Sequence, residues 1–105
     1  MNKLGLLLIA VAVLFEIIAD ILFKYWSMNS RTVFIVIGLI IYSVGTIIWA
    51  YSLKFNNLSK AITIFTVLNL IVIVLIGYYL FKEEVSFTNV IGILLGVISV
   101  ILVQL

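Results

Sequence analysis

The sequence predicts an all-α membrane protein of four transmembrane helices, and its composition and its apolar runs both point to this class. Of the 105 residues, 67% are hydrophobic and only 10% are charged. A soluble domain of this length needs a polar surface, and so few charges would leave large apolar patches facing water. The chain also contains four apolar runs, each close to the length of about 20 residues that a helix needs to cross about 30 Å of hydrocarbon.

The four runs account for most of the chain. They occupy residues 4–23, 33–53, 61–81 and 87–105. They do not alternate in polarity as the strands of a membrane barrel do, and unpaired backbone groups are costly in lipid, so each run should form a helix. The polar connections are 24–32, 54–60 and 82–86. Because these connections are too short for a soluble domain and make neighbouring helices antiparallel, we expect residues 1–105 to form a single four-helix transmembrane domain.

The composition also excludes several classes of function. The chain has neither Cys nor His, which removes thiol nucleophiles, thiolate metal sites and the usual base near neutral pH. The net charge of +2 is spread along the chain rather than gathered in a basic stripe, which argues against a nucleic-acid partner. We therefore expect no enzyme, no cofactor and no metal site.

The positive charges on the two sides of the membrane are nearly balanced. One side carries Lys3, Lys54 and Lys60, and the other carries Arg31, Lys82 and, if it lies outside the hydrocarbon, Lys24. An excess of Lys and Arg normally sets the orientation, so this balance leaves the orientation open. Either the chain inserts in both orientations, which permits an antiparallel dimer with a site at the midplane, or other features select one orientation.

Two acids lie inside the first run. Glu16 is near its middle, and Asp20 follows one turn later on the same face. A charged side chain at the bilayer centre costs roughly 2.5–3.5 kcal/mol on insertion scales. Lys24 lies one turn beyond Asp20. An ion pair between Asp20 and Lys24 at the membrane interface is therefore an alternative to a functional role for Asp20, but this alternative does not extend to Glu16. Glu16 has no cation within a turn, so we expect it to bind either a proton or a cationic substrate, a competition sufficient for exchange transport.

The chain resembles the small multidrug resistance family, within the drug/metabolite transporter superfamily. The features that carry the resemblance are the four runs, the segment 15–25, which reads FEIIADILFKY, and the spacing from this segment to Gly92. The resemblance extends over nearly the whole chain. It implies a multi-pass cell-membrane protein that exports small cations in exchange for protons as an antiparallel, dual-topology homodimer, or with a paralogous partner. In that family a buried Glu in the first helix binds protons and cations alternately, and a Lys follows two turns later; Glu16 and Lys24 match these positions.

The chain departs from the family pattern in the predicted third helix. A Tyr and Trp pair that shapes the binding chamber of the family is Ile62 and Phe65 here, and a Gly-x-Gly bend is replaced by a segment ending in Asn69. Asp20 stands where the family commonly has a small or hydroxyl residue, which favours a dication or a polyamine. Asn69 in mid-membrane needs a partner, either a neighbouring helix or the chamber. The residues predicted to bind protons and substrate are Glu16, Asp20, Tyr42, Phe65 and Asn69, with Lys24, Ala12, Thr46 and Ile62 in support.

Small residues in the other runs predict close helix packing. Gly92 and Gly96 form a small-xxx-small face in the last run, which Ser99 nearly continues, and the resemblance implies that this helix mediates dimerisation. Gly45 and Gly77 permit either bending or close approach, and the sequence does not decide between them.

Two alternative functions remain. The stretch 80–86 also resembles the turn between the third and fourth helices of superfamily relatives that carry lipid-linked sugars, so a carrier of such a sugar or another metabolite is one alternative. A non-transporting interaction subunit of a larger membrane complex is the other. Neither alternative requires an acid at the centre of a span, so Glu16 distinguishes both from a cation exporter.

Overall fold

A computed structural model describes residues 3–105, which form helices and no strands. The helices are α1 (Lys3–Asn29), α2 (Thr32–Ser52), α3 (Leu58–Leu80) and α4 (Phe87–Gln104). All four are long and apolar enough to cross a membrane. The predicted class, an all-α protein with four transmembrane helices, is therefore confirmed.

The first helix is longer than the apolar run that predicts it, since it ends at Asn29 rather than at residue 23. Hydropathy marks the part of a helix that lies in hydrocarbon, and residues 24–29 contain no Gly or Pro to end the helix. With 27 residues, α1 is about 40 Å long, against about 30 Å of hydrocarbon. It ends where Ser30 adopts a left-handed conformation (φ 57°) and donates its N–H to the Trp26 carbonyl at 2.7 Å.

Helices α1 and α2 form an antiparallel hairpin that packs closely at glycines. A Cβ built on Gly38 would lie 2.7 Å from Cε1 of Phe23, and one built on Gly45 would lie 2.8 Å from Cβ of Phe15. Later residues of α2 thus meet earlier residues of α1, as an antiparallel pair requires. Small residues allow this approach, and close van der Waals packing is what holds helices together in lipid.

Helices α3 and α4 form the second hairpin, and side chains cap the start of both helices. The side chain of Asn57 accepts a hydrogen bond from the N–H of Ser59 at 2.9 Å, and Oγ of Ser86 accepts one from the N–H of Asn89 at 3.1 Å. The cap at Asn57 explains why α3 begins at Leu58, before the apolar run at 61. At the other end of α3, Lys82 is left-handed (φ 56°).

Helix α4 contributes no buried residue to the structure. It contacts α3 at Gly96, where an added Cβ would lie 3.8 Å from Cγ2 of Val67. The rest of its surface consists largely of exposed apolar side chains, among them Leu94, Leu95 and Leu102.

Candidate ion and substrate site

Glu16 lies midway along α1, on the most buried face of that helix. Four residues that lie on this face at steps of three or four residues are small or apolar and buried: Gly5, Ile9, Ala12 and Ala19. Ile9 and Ala19 are 0% exposed and Ala12 is 1% exposed. Glu16 itself is half-buried. Its carboxylate therefore leaves α1 from the packed face of the helix.

The main chain of α2 passes directly over the turn of α1 that carries Glu16. A Cβ built on Gly45 would lie 3.6 Å from the carbonyl oxygen of Ala12 and 3.8 Å from the amide nitrogen of Glu16, as well as against Phe15. Only a residue without a side chain permits this approach. The contact limits movement of the backbone turn from which the Glu16 side chain projects.

Asp20 follows Glu16 by one helical turn and is also half-buried, whereas Lys24 is exposed. Side chains four residues apart on a helix are neighbours. The two carboxyls therefore form a short acidic row near the middle of α1. Two adjacent negative charges repel each other, so this row favours the binding of a proton or a cation.

The predicted residues of α2 lie beside the face that packs on α1. Tyr42 is 41% exposed, so the rest of the described chain does not cover its side chain. The hydroxyl of Thr46 donates to the Tyr42 carbonyl at 2.9 Å. The proton of Thr46 is therefore engaged by the helix backbone, and its oxygen remains able only to accept a further hydrogen bond.

The predicted residues of α3 share one face of that helix, since Ile62, Phe65 and Asn69 follow steps of three and four residues. Ile62 is 44% exposed, and Phe65 is half-buried. Asn69 is half-buried, and its Oδ1 atom is buried without accepting a hydrogen bond from any of residues 3–105. Within the described chain, the partner expected for Asn69 is therefore missing.

The predicted dimerisation residues of α4 differ in their surroundings. An atom added at Gly92 would meet nothing within 4 Å, whereas one added at Gly96 would contact Val67 of α3. Ser99 is exposed. Gly92 and Ser99 are thus accessible to another molecule, while Gly96 is shared with the contact to α3.

Sequence reasoning did not identify the role of Gly45 and passed over Gly38. The two glycines are seven residues apart and so lie on one face of α2. That spacing is the signal that could have indicated a packing face.

The family model described as Small Multidrug Resistance protein matches residues 4–96, which include Glu16, Asp20 and Gly92. A search of curated proteins gives no significant match. Since the family match covers most of the chain and all four helices can span a membrane, this is a multi-pass protein of the cell membrane, and it belongs to the small multidrug resistance family of transporters.

Proposed function

We propose that the protein is a proton-coupled antiporter that exports small cationic or polyamine-like compounds across the cell membrane. The observation that carries the proposal is the carboxylate of Glu16, which stands at mid-span on the packed face of α1. An acid in this position is costly unless it has a function. Family membership supports a transporter and argues against a subunit that only packs in a larger complex.

One carboxylate that binds either a proton or a cation is enough to couple their movements. An ionised Glu16 without a ligand is expensive to move through a site closed to water. The form that changes orientation is therefore the one in which a proton or a cation neutralises the carboxylate. Release of one ligand on one side of the membrane then allows the other to bind, so an inward proton drives an outward cation.

A second copy of the chain would complete the site. Four helices enclose little room for a substrate, whereas two oppositely inserted copies form an inverted repeat around the midplane. The balanced Lys and Arg distribution supports insertion in both orientations. The absence of buried residues in α4 and the open surroundings of Gly92 support packing of α4 on another molecule. The dimer is a homodimer in this proposal, although a paralogous chain could supply the second half.

Other residues have supporting roles in the proposal. Asp20 adds a negative charge that favours doubly charged substrates. The rings of Tyr42 and Phe65 attract cations through their faces. In the proposal, Ala12, Lys24, Thr46 and Ile62 support these residues, and the small side chain of Ala12 allows α2 to pack closely one turn from Glu16.

The test is transport in proteoliposomes carrying a pH gradient, with quaternary ammonium, guanidinium and polyamine compounds as substrates. The native protein should accumulate at least one of these cations against its gradient when protons flow the other way. Glu16→Gln should assemble normally and lose this exchange, because the amide cannot take up and release a proton. Asp20→Asn is the matched control one turn away, and it should retain proton-driven exchange.

Exchange that persists in Glu16→Gln would contradict the proposal. Equal transport with and without the pH gradient would do so as well. The carrier of a lipid-linked sugar or another metabolite would then become the leading function.

A further inference from the structure

A cavity of about 470 Å³ lies between the last turns of α3 and the first turns of α4. This volume is within the range of about 300–1,000 Å³ that is typical of sites for small molecules. Four polar residues line the cavity near the connection between the two helices: Glu83, Glu84, Thr88 and Asn89. Further from the connection the lining is apolar and includes Leu70, Val74 and Ile93. The cavity therefore changes from polar to apolar along the direction in which the helices cross the membrane.

The polar end of this cavity lies at the membrane surface, and its apolar end lies in the hydrocarbon. Glu83 and Glu84 follow the last residue of α3, Leu80, whereas Leu70 precedes Leu80 by ten residues, or about 15 Å of helix. That distance is about half the thickness of the hydrocarbon. Both carboxylate residues and Leu70 are exposed. The described chain thus leaves both ends of the cavity accessible to a molecule of the bilayer.

The carboxylate of Glu83 is held against α3 at a glycine. The N–H of Glu83 donates to the carbonyl of Gly77 at 2.9 Å. Gly77 is buried, and a Cβ built on it would collide with Oε1 of Glu83. Of the two roles open to Gly77, bending or close approach, the structure therefore shows close approach. The missing side chain lets the carboxylate lie on the helix, beside the polar end of the cavity.

We propose that this cavity binds a phospholipid whose headgroup carries a primary ammonium group. No Lys or Arg is among the residues of the described chain that line the cavity, so Glu83 and Glu84 favour a cationic headgroup. The ammonium donates charge-assisted hydrogen bonds to their carboxylates. The phosphate lies toward the first turn of α4, where the helix dipole is positive. The first part of an acyl chain then lies along Leu70 and Val74. The inference goes beyond the proposed transport, because it involves only α3, α4 and their connection.

Other occupants satisfy this cavity less well. Residues 87–105, which include α4, contain no charged residue, so a second copy that packs through α4 brings no cation to the two carboxylates. A choline headgroup has no N–H to donate to them. A headgroup with a net negative charge is repelled by them. Selection among lipid headgroups is therefore the property that identifies the occupant.

The test compares lipids retained by the full-length protein in native mass spectrometry from detergent. The probes are phosphatidylethanolamine, phosphatidylcholine and phosphatidylglycerol with identical acyl chains, supplied in equal amounts. The native protein should retain the ethanolamine lipid over the choline lipid by about threefold to fivefold, in the upper part of the range for exposed ion pairs, and should retain the glycerol lipid least. A variant that combines Glu83→Gln and Glu84→Gln should lose this preference, because Gln keeps the shape of each side chain and removes its charge.

A matched pair of variants tests the apolar end of the cavity. Val74→Phe adds bulk inside it and should reduce retention of the ethanolamine lipid. Leu75→Phe adds a ring to the next residue of α3, which is 50% exposed and does not line the cavity, and it should behave as the native protein does.

Equal retention of the three lipids by the native protein would overturn the inference, as would a preference that survives removal of both carboxylates. Equal effects of Val74→Phe and Leu75→Phe would also contradict it, since the lipid would then lie elsewhere. The same spectra report the oligomeric state. If removal of the two carboxylates dissociates the oligomer and leaves the lipid preference unchanged, the carboxylates serve packing between copies, and the proposed lipid site is wrong.

Discussion

The contact between Gly45 and the Glu16 turn makes a quantitative prediction for Gly45→Ala. The new Cβ would lie 2.8 Å from Cβ of Phe15, and an ordinary contact begins at 3.4 Å, so the helices must separate locally by about 0.6 Å. Rotation of a side chain cannot relieve this overlap, because Cβ of Phe15 is fixed to the backbone of α1. Overpacking typically costs about 1–3 kcal/mol, and the better helix propensity of Ala returns up to about 1 kcal/mol. We expect a net loss of about 1–2 kcal/mol.

The loss should appear in both stability and function. Thermal unfolding in detergent measures the first, and the affinity for a transported cation measures the second. Because α2 would move away from the backbone of Glu16, the affinity should fall several-fold.

Gly38→Ala is the matched control on the same face of α2. There the added Cβ meets Cε1 of Phe23 at 2.7 Å, and that ring edge can move by side-chain rotation. Gly38→Ala should therefore cost less stability than Gly45→Ala and leave substrate affinity near the native value. If Gly45→Ala proves as stable and as active as the native protein, or if Gly38→Ala is the more damaging change, then the proposed positioning of Glu16 by Gly45 is wrong.

Three further predictions concern the charges and the dimer. Substrate affinity should weaken as the pH falls through the pKa of the Glu16 carboxyl, approaching about tenfold per pH unit for one competing proton. In a dimer the two Glu16 carboxyls titrate as a coupled pair, so a titration step is not assigned to either copy alone. Binding measured as equally tight from acid to alkaline pH would exclude a shared carboxylate. Asp20→Asn should keep this pH dependence but lower the preference for dications over monocations in competition assays, and an unchanged preference would instead favour the ion pair with Lys24. Gly92→Ala adds an atom that meets nothing within 4 Å in the chain, so the monomer fold should be unaffected while dimerisation through α4, measured by energy transfer between labelled copies in detergent, weakens; an unaltered dimer would argue against α4 as the interface.

Hydropathy was sufficient to predict the four helices, but it could not predict their ends. Lipid forces each apolar run to form a helix, so each run falls almost entirely within one helix. Their ends depend on local backbone chemistry, as the cap at Asn57 and the left-handed Ser30 show. Such features add a few residues to a helix in the membrane interface, where hydropathy is no longer informative.

The candidate site was only partly predictable for a related reason. The spacing of Glu16 and Asp20 places them on one face of α1 in any helix, so sequence alone determines that relation. The choice of the α2 face that packs on Glu16 is different, because both faces of an apolar helix are equally soluble in lipid. The helices pack where their surfaces allow the closest approach, and in α2 that is the face of Gly38 and Gly45, which have no side chains.

The distribution of acids restricts the route that a cation would take in the proposed transport cycle. The chain has four acids, and Glu83 and Glu84 follow the end of α3, so Glu16 and Asp20 are the acids within the helices that the structure describes. In the proposed transport cycle, the carboxylates of α1, one pair per copy, are therefore the charged groups of the helices that can replace the hydration of a cation. Since Glu16 stands at mid-span and Asp20 nearer one end, the proposed function predicts that a cation approaches by Asp20 from one side of the membrane and reaches Glu16 directly from the other. In two oppositely inserted copies, one copy would present Asp20 toward one side of the membrane and the other copy would present it toward the opposite side. A cation would then meet the same carboxylates from either side, without any further charged residue in the dimer.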